Sequence, residues 1–85
     1  MPDYVVSLRF KVMEALRGLK RSERERILLW MERLENDPFC RGEFVEKDDT
    51  GREIQVVIVG NHALYYWLDA PVKEIKVVKI SPADG

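Results

Sequence analysis

The spacing of the apolar residues changes twice along this chain of 85 residues. Over residues 4–10 apolar and polar positions alternate, which predicts a half-buried strand. From Val12 to Leu34 the apolar residues recur every three or four positions, which predicts helices with one buried stripe each. From residue 43 onward, alternation returns in segments rich in β-branched and aromatic residues. Since neither pattern suits the other structure, this order predicts one strand, then helices, then a sheet.

The helical segment is divided in two by a short polar connection. The basic pair Lys20–Arg21 suits a helix end, where cations complement the helix dipole. Ser22 and Glu25 have the spacing of a capping box, which predicts that a second helix begins at Glu23. Pro38 disfavours the helical conformation in the residue before it, so this helix ends there. The short connection predicts an antiparallel helical hairpin.

The second half of the chain predicts a mainly antiparallel sheet. Turn sequences at 48–51 and 60–61 separate the apolar runs, and the predicted strands cover residues 43–47, 52–59, 63–68 and 74–80. Residues 81–85 are predicted to be a frayed tail. We therefore expect a single α+β domain over 1–85, with the order β-α-α-β-β-β(-β), in which the helical hairpin packs on one face of a four- to five-stranded sheet.

The alternation in the two central strands assigns their side chains to faces. The helices are predicted to cover Ile54, Val56, Ile58, Leu64, Tyr66 and Leu68. The opposite face would carry Gln55, Val57, Val59, Ala63, Tyr65 and Trp67. That second face is apolar for one turned to water, so it is predicted to bind a partner protein. The alternatives are that the strand parity differs by one residue or that a tail covers this face.

The composition excludes several kinds of site. Cys40 is the single cysteine, so an internal disulfide and a cysteine-based zinc site are excluded. We expect no metal and no cofactor. No apolar run approaches the ~20 residues of a membrane span, and no signal peptide is recognisable, so we expect a cytoplasmic protein. The net charge of −1 counts against an obligate nucleic-acid partner, because such proteins usually carry a basic surplus.

Residues with chemical potential are few. His62 is the only histidine, and it is either a general acid–base or a solvated turn residue. A basic cluster at the connection between the helices comprises Lys20, Arg21, Arg24 and Arg26. Two interpretations of this cluster stay open, a nucleic-acid contact and a solvated helix face.

Several segments of the chain resemble the RelE/ParE toxins of bacterial toxin–antitoxin pairs. The leucine-rich stretch Ala15–Leu19 and the segment Ser22–Pro38 are similar to the two helices of that family. The segment Val59–Asp69 has the family's pattern of strand, glycine turn, tyrosine strand and acid, with Tyr66 at the usual tyrosine, and Ile75–Ile80 fits the final strand. The resemblance implies the RelE/ParE fold and a cognate antitoxin that wraps and neutralises the toxin.

The family resemblance implies two activities. RelE-like members cut mRNA on the ribosome with lysine, arginine and a C-terminal tyrosine on the sheet face away from the helices. ParE-like members bind DNA gyrase. In our alignment the two family lysines fall on Gln55 and Val57, and one arginine falls on Ala63. The second arginine falls near residues 83–84, and the tyrosine falls beyond Gly85. These substitutions imply loss of the nuclease residues.

The sequence thus predicts a toxin-family protein that acts by protein binding, with an antitoxin as partner and gyrase or the ribosome as target. One alternative is a ribosome-dependent mRNA endoribonuclease whose catalytic residues have moved to Lys47, Arg52 and His62. The other is a non-toxic homodimer that pairs through Tyr65 and Trp67.

Overall fold

The structure is a computed structural model that describes residues 3–83. The elements are β1 (Val5–Leu8), α1 (Phe10–Arg17), α2 (Arg21–Asn36), β2 (Phe44–Lys47), β3 (Glu53–Val59), β4 (His62–Asp69), a short 3₁₀ helix (Ala70–Val72) and β5 (Glu74–Pro82). The strands form one sheet in the order β1-β5-β4-β3-β2, in which β1 and β5 are parallel and the other pairs antiparallel. This confirms the predicted α+β fold.

The core lies between the helical hairpin and the centre of the sheet. The buried stripe of the helices consists of Val12, Leu16, Ile27, Met31 and Leu34, and it packs on Val59, Leu64, Tyr66, Ile75 and Val77. Leu64, Ile75 and Val77 have no exposed surface, because they lie on β4, the central strand, and on the adjacent β5. One continuous apolar layer therefore holds both helices on a single face.

The turn between β3 and β4 determines which side chains enter that core. Gly60 has φ +62°, a conformation that glycine adopts without steric cost and that suits the first position of a type II′ hairpin turn. This two-residue turn places Val59 opposite His62, and Val57 opposite Leu64. Directly paired residues share a face. Val57 and Val59 therefore face the helices together with Leu64.

The predicted faces are thus right for β4 and wrong for β3. Gln55, Val57 and Val59 were expected on the face away from the helices, but they lie on the helix side. Their neighbours Ile54, Val56 and Ile58 occupy the opposite face instead. Since β3 is apolar at every position from 56 to 59, alternation within the strand carries no information about its orientation.

Two expected element boundaries are also wrong. Helix α2 begins at Arg21 rather than Glu23, and its N-cap Lys20 has no side-chain capping bond. Glu25 instead accepts a hydrogen bond from Arg21 Nε at 3.0 Å, so the capping box does not form. Strand β5 continues to Pro82, and the Ala83 N–H donates to the Asn61 carbonyl at 2.9 Å. Residues 81–83 are therefore part of the sheet region, and residues 84–85 of the expected tail lie outside the described residues.

The loop between α2 and β2 passes directly over β3 at Gly42. A Cβ atom at this position would lie 2.6 Å from the Val56 carbonyl oxygen, which is closer than such atoms approach in proteins. The Gly42 N–H donates to the side-chain oxygen of Gln55 at 2.9 Å. This loop, residues 37–43, is therefore held against the sheet by the absence of a side chain and by one hydrogen bond.

We predict that Gly42→Ala lowers the free energy of unfolding by about 1–3 kcal/mol, the usual cost of overpacking. The control is Gly18→Ala, because a Cβ atom there would lie 3.6 Å from its nearest neighbour at an ordinary helical φ of −79°. That control should leave stability unchanged or raise it by up to about 1 kcal/mol. Urea unfolding measures both, and equal stabilities of the two variants would contradict the close contact.

Candidate functional site

The sheet face away from the helices, here called the outer face, combines aromatic rings with cations. Tyr65 and Trp67 lie on β4, and the β4–β5 register places Lys79 opposite Tyr65 and Lys76 opposite Trp67. Arg52, just before β3, approaches Trp67 from the other side. The aromatic strand of the outer face is thus flanked by basic side chains on both sides.

These cations lie over the rings at contact distance. The Arg52 Cζ atom is 3.8 Å from the centre of the Trp67 ring, and the Lys76 Nζ atom is 5.2 Å from it. Lys79 Nζ is 4.9 Å from the centre of the Tyr65 ring. Such cation–π contacts each contribute about 0.5–1 kcal/mol at exposed sites. They hold flexible basic side chains in place on the outer face.

Arg9, which directly follows β1, borders the same surface as Tyr65, Trp67 and Lys79 and is a fourth cation of the outer face. Carboxylates fix two of these four cations. The Asp69 carboxylate lies 2.9 Å from Lys76 Nζ, and the Asp48 carboxylate lies 3.6 Å from Arg52 Nη1. Within residues 3–83, Arg9 and Lys79 have no carboxylate oxygen within 4.0 Å. Among residues 3–83, the outer face therefore presents two cations with a carboxylate partner, Arg52 and Lys76, next to two without one, Arg9 and Lys79.

The turn before β3 keeps Asp48 ionised beside Arg52. The Thr50 hydroxyl donates to the Asp48 carboxylate at 2.6 Å, and the main-chain N–H groups of Arg52 and Thr50 donate to it at 3.0 and 2.9 Å. The Thr50 hydroxyl is the main cause of a lowered pKa of Asp48, and the two N–H groups act in the same direction. Asp48 therefore stays negatively charged at neutral pH and keeps Arg52 over Trp67.

A shallow hollow of about 300 Å³ lies at the centre of the outer face. Its walls include the ring systems of Tyr65 and Trp67. Its charged lining residues are the cations Arg9, Lys47, Arg52 and Lys79 and the carboxylates Glu46 and Asp48. His62, the only histidine of the chain, does not reach it. The hollow thus offers positive charge and flat apolar surface, which suit the binding of an anionic and aromatic ligand.

A second opening, the loop cleft, has a volume of about 350 Å³ and lies where residues 37–43 meet the ends of β3 and β4. Arg52 and Trp67 border this cleft as well as the hollow. Below it, the Tyr66 hydroxyl donates to the Cys40 carbonyl at 3.2 Å, and the Tyr66 ring lies edge-on to Trp30 at 5.2 Å. Tyr66 therefore joins the loop to the core.

The structure brings some of the sequence-predicted residues together and separates others. Of the predicted partner-binding residues, Ala63, Tyr65 and Trp67 lie on the outer face, and their binding role stays a prediction. Ala63 is buried, since it lies between the neighbouring strands. Gln55 serves a different purpose, because its side-chain oxygen accepts the Gly42 N–H.

The three residues proposed as a relocated nuclease site do not form one cluster. Lys47 and Arg52 both border the hollow. His62 is at the opposite end of β4, where its Nδ1 atom lies 3.3 Å from Glu23 and its side chain is only 13% exposed. It is therefore neither a solvated turn residue nor a neighbour of Arg52.

The basic cluster between the helices belongs to the helical layer. Arg21 pairs with Glu25 at 3.0 Å, and Arg24 Nη2 donates to the Leu19 carbonyl at 3.2 Å. Arg26 passes next to Gly60. Lys20, the fourth member, is an exposed residue at the N-cap of α2. The cluster therefore lies in the helical layer and does not extend the positive charge of the outer face.

Three cations of the outer face were not predicted as site residues from the sequence: Arg9, Lys76 and Lys79. Lys76 and Lys79 are three positions apart, which would place them on opposite faces of a regular strand. The β4–β5 register shifts between Tyr65 and Tyr66, and the extra residue Val78 forms a bulge. The bulge brings both lysines to the outer face. The signal present in the sequence was the pair of lysines in a strand next to the aromatic strand.

The described part of the chain contains no group of three or more histidine, cysteine, aspartate or glutamate side chains placed to hold a metal ion. None of its helices combines the length and apolarity needed to cross a membrane.

Comparisons with known proteins identify the fold. Neither protein-family models nor curated proteins match the sequence. Among solved structures, the archaeal RelE–RelB complex from Pyrococcus horikoshii OT3 matches with a TM-score of 0.80 and 23% identity, over 98% of this chain and 97% of that chain. The chain has the RelE fold. The predicted resemblance to RelE-like toxins is thereby confirmed at the level of structure.

Two further structures with the RelE fold agree. The toxin–antitoxin complex RelBE2 from Mycobacterium tuberculosis matches with a TM-score of 0.73 and 13% identity, over 96% of this chain and 99% of that chain. An arginine-to-alanine mutant of the E. coli toxin RelE in the free state matches with a TM-score of 0.73 and 12% identity, over 95% and 84% of the two chains. The RelE fold thus accounts for nearly the whole of this chain.

The buried hydroxyl of Tyr66 predicts a pH-dependent stability. Burial raises its pKa from the ordinary 10.0 to about 12. Between these two pH values the unfolded chain loses this proton and the folded chain keeps it, so the free energy of unfolding falls as pH rises. Tyr66→Phe should cost about 1 kcal/mol at pH 8 through loss of the hydrogen bond to Cys40.

This cost should shrink as the pH rises from about 10 towards 12, because the variant lacks the titrating group. Urea unfolding of both proteins at pH 8 and pH 11.5 measures the difference. A gap between wild type and variant that is constant or larger at pH 11.5 would contradict the proposed burial of the hydroxyl.

Proposed function

We propose that this chain is the toxin of a toxin–antitoxin module and that it acts by binding single-stranded RNA on the outer face of its sheet. The observation that carries the proposal is the set of cations around Tyr65 and Trp67. The RelE fold supports the first half of the proposal, since RelE structures of toxins and toxin–antitoxin complexes share it.

The outer face has the two components that single-stranded nucleic acids require. Uncompensated cations, here Arg9 and Lys79, attract backbone phosphates and release counterions. Flat rings accept unstacked bases, and each stacked base contributes about 1–3 kcal/mol. Arg9 follows β1 and Lys79 lies on β5, so both cations are on the β5 side of Tyr65 and Trp67, and one strand of RNA that crosses β4 and β5 would contact both components at once.

The shape of the outer face favours a single strand over a duplex. The hollow is shallow and is lined mainly by strand residues. Double-stranded RNA hides its base faces inside the stack, whereas single strands present them. The ring faces of Tyr65 and Trp67 are useful only in the second case.

The net charge of −1 remains compatible with this proposal because the charge is unevenly placed. Acidic residues such as Asp48 and Asp69 on the outer face are engaged with Arg52 and Lys76. The other charged residues that line the hollow are the cations Arg9, Lys47 and Lys79 and the carboxylate Glu46, so the local charge there is positive. We expect a modest affinity that depends strongly on salt.

The corrected strand register changes the argument for a lost nuclease. That argument placed the family's lysine positions on Gln55 and Val57, which face the helices and the loop. The residues of β3 that face outward are Ile54, Val56 and Ile58, and the same alternation places Arg52 on the outer face. Ile54, Val56 and Ile58 carry no charge, so the positive charge of the outer face comes from Arg52, from Lys76 and Lys79 on β5, and from Arg9.

An antitoxin is the proposed protein partner. The helices expose large apolar side chains, among them Phe10 at 71%, Leu29 at 61% and Leu28 at 46% of their surface. Exposed apolar side chains of this size favour a protein-binding role. The alternative homodimer through Tyr65 and Trp67 is less favourable, because a two-fold axis would bring Arg9 and Lys79 of both copies together.

Substitution of the uncompensated cations should weaken RNA binding in a salt-dependent way. We predict that Arg9→Ala and Lys79→Ala each reduce the slope of log K against log salt by about 0.7, the value of one lost phosphate contact on a single strand. Arg33→Ala is the matched control, because Arg33 is an exposed cation on α2. Fluorescence anisotropy with a labelled oligoribonucleotide measures the slopes, and gel analysis of the same samples reveals any cleavage.

Equal slopes for all three variants would contradict RNA binding on the outer face. If only Arg33→Ala lost RNA binding, the RNA-binding site would lie on the helices and not on the outer face.

Expression of the chain alone should arrest growth, and co-expression with the product of the adjacent gene should relieve the arrest and yield a copurifying complex. The double variant Arg9→Ala, Lys79→Ala should abolish the arrest and still copurify, because it leaves the helices unchanged. Absence of both growth arrest and complex formation for the wild-type chain would refute the toxin–antitoxin proposal.

A further inference from the structure

The sheet opens at one end between β3 and β4. Their pairing runs from Val59–His62 to Gln55–Tyr66 and stops there, although β3 begins at Glu53 and β4 continues to Asp69. The loop cleft of about 350 Å³ occupies this opening. A gap inside a sheet leaves main-chain hydrogen-bonding groups without strand partners, and such groups need a ligand or water.

The entrance of the loop cleft is formed by the Arg52–Trp67 stack. A distance of 3.8 Å between the Arg52 Cζ atom and the ring centre places the guanidinium in direct contact with the Trp67 ring. Arg52 is held from the side by Asp48 at 3.6 Å. A guanidinium that stacks on a ring through one face keeps its second planar face for another flat group, and RNA bases stack on arginine planes in this way.

The interior of the cleft provides both donors and acceptors. The Gln55 side chain uses its oxygen to accept the Gly42 N–H, so its amide N–H groups remain as donors. Glu53 supplies a carboxylate acceptor on the same wall, and Arg41 supplies a cation on the loop. A flat ligand with donors and acceptors along its edge matches this set, as a nucleobase does.

The size of the loop cleft limits the ligand to one base. A volume of about 350 Å³ is near the lower end of the range of small-molecule sites, which is roughly 300–1,000 Å³. Arg52 and Trp67 also border the hollow, so a strand whose phosphates lie there passes the entrance of the cleft. One nucleotide can then leave the strand without a break in the phosphate contacts.

We propose that the loop cleft binds one unstacked base of single-stranded RNA, which stacks on the Arg52 guanidinium and forms edge hydrogen bonds with Gln55 and Glu53. The inference rests on the proposed RNA-binding function and adds a base-specific site to it. The cations of the outer face give affinity for any sequence, and the cleft selects the base at one position.

The experiment uses an oligoribonucleotide with 2-aminopurine at successive positions and the full chain. At the position that enters the cleft, the 2-aminopurine fluorescence should change on binding. An abasic nucleotide at that position should weaken binding by about five- to 150-fold, the value of one stacked base, while other abasic positions have smaller effects.

The substitution Arg52→Lys keeps the positive charge and removes the planar guanidinium group. It should abolish the fluorescence change and lower affinity by a similar factor, with an unchanged salt slope. Lys79→Ala is the matched variant, because it should reduce the salt slope and retain the fluorescence change at saturation. Circular dichroism checks that both variants are folded. The measurements with abasic strands use the wild-type chain and therefore do not depend on the folding of any variant.

The outcomes separate the two proposals. Equal affinity for intact and abasic strands at every position would overturn the base site and leave RNA binding intact. A position-specific effect that survives Arg52→Lys would also overturn the assignment to this stack. Failure of the wild-type chain to bind any single-stranded RNA would refute the proposed function itself.

Discussion

The two-residue turn at Gly60–Asn61 is the constraint on which the arrangement of both sheet faces depends. With Gly60 at a positive φ, Val59 and His62 are paired, and every later pair of β3 and β4 follows from them. The helices cover the face that carries Val57, Val59 and Leu64. A register shifted by one residue would exchange the two faces of β3 and place Arg52 on the helix side, away from Trp67.

The outer face owes its charge to a second irregularity, the bulge at Val78. If β5 continued past Lys76 in regular alternation, Lys79 would point into the core, where an unpaired ammonium is very unfavourable. With the bulge, Lys76 and Lys79 both lie next to the aromatic strand, and Ile80 returns to the core. One positively charged aromatic surface with a cleft at its end results from three features together. They are the turn at Gly60–Asn61, the bulge at Val78 and the end of the pairing between β3 and β4.

Much of the fold was predictable, whereas most of the site was not. The five strands and the helical hairpin follow from apolar periods, and the faces of β4 follow from its alternation. For β3 the run of apolar residues from 56 to 59 has no alternation, and only the pairing with β4 reveals its orientation. Ser22 and Glu25 have the spacing of a capping box, but Arg21 binds Glu25 and the helix begins earlier. His62 looked solvent-exposed because its contact with Glu23 joins residues 39 positions apart in the chain.

By itself, the sequence determined the order of elements, the position of the hairpin turn, the aromatic strand and the family resemblance. These are local properties, since a period or a turn depends on residues within a few positions of each other. Only the tertiary structure decided that Arg52 stacks on Trp67, that Lys76 and Lys79 share a face, and that β3 and β4 separate beside the loop. These features depend on register, on a bulge and on the seating of Gly42 over Val56, and each of them is set by contacts between distant segments.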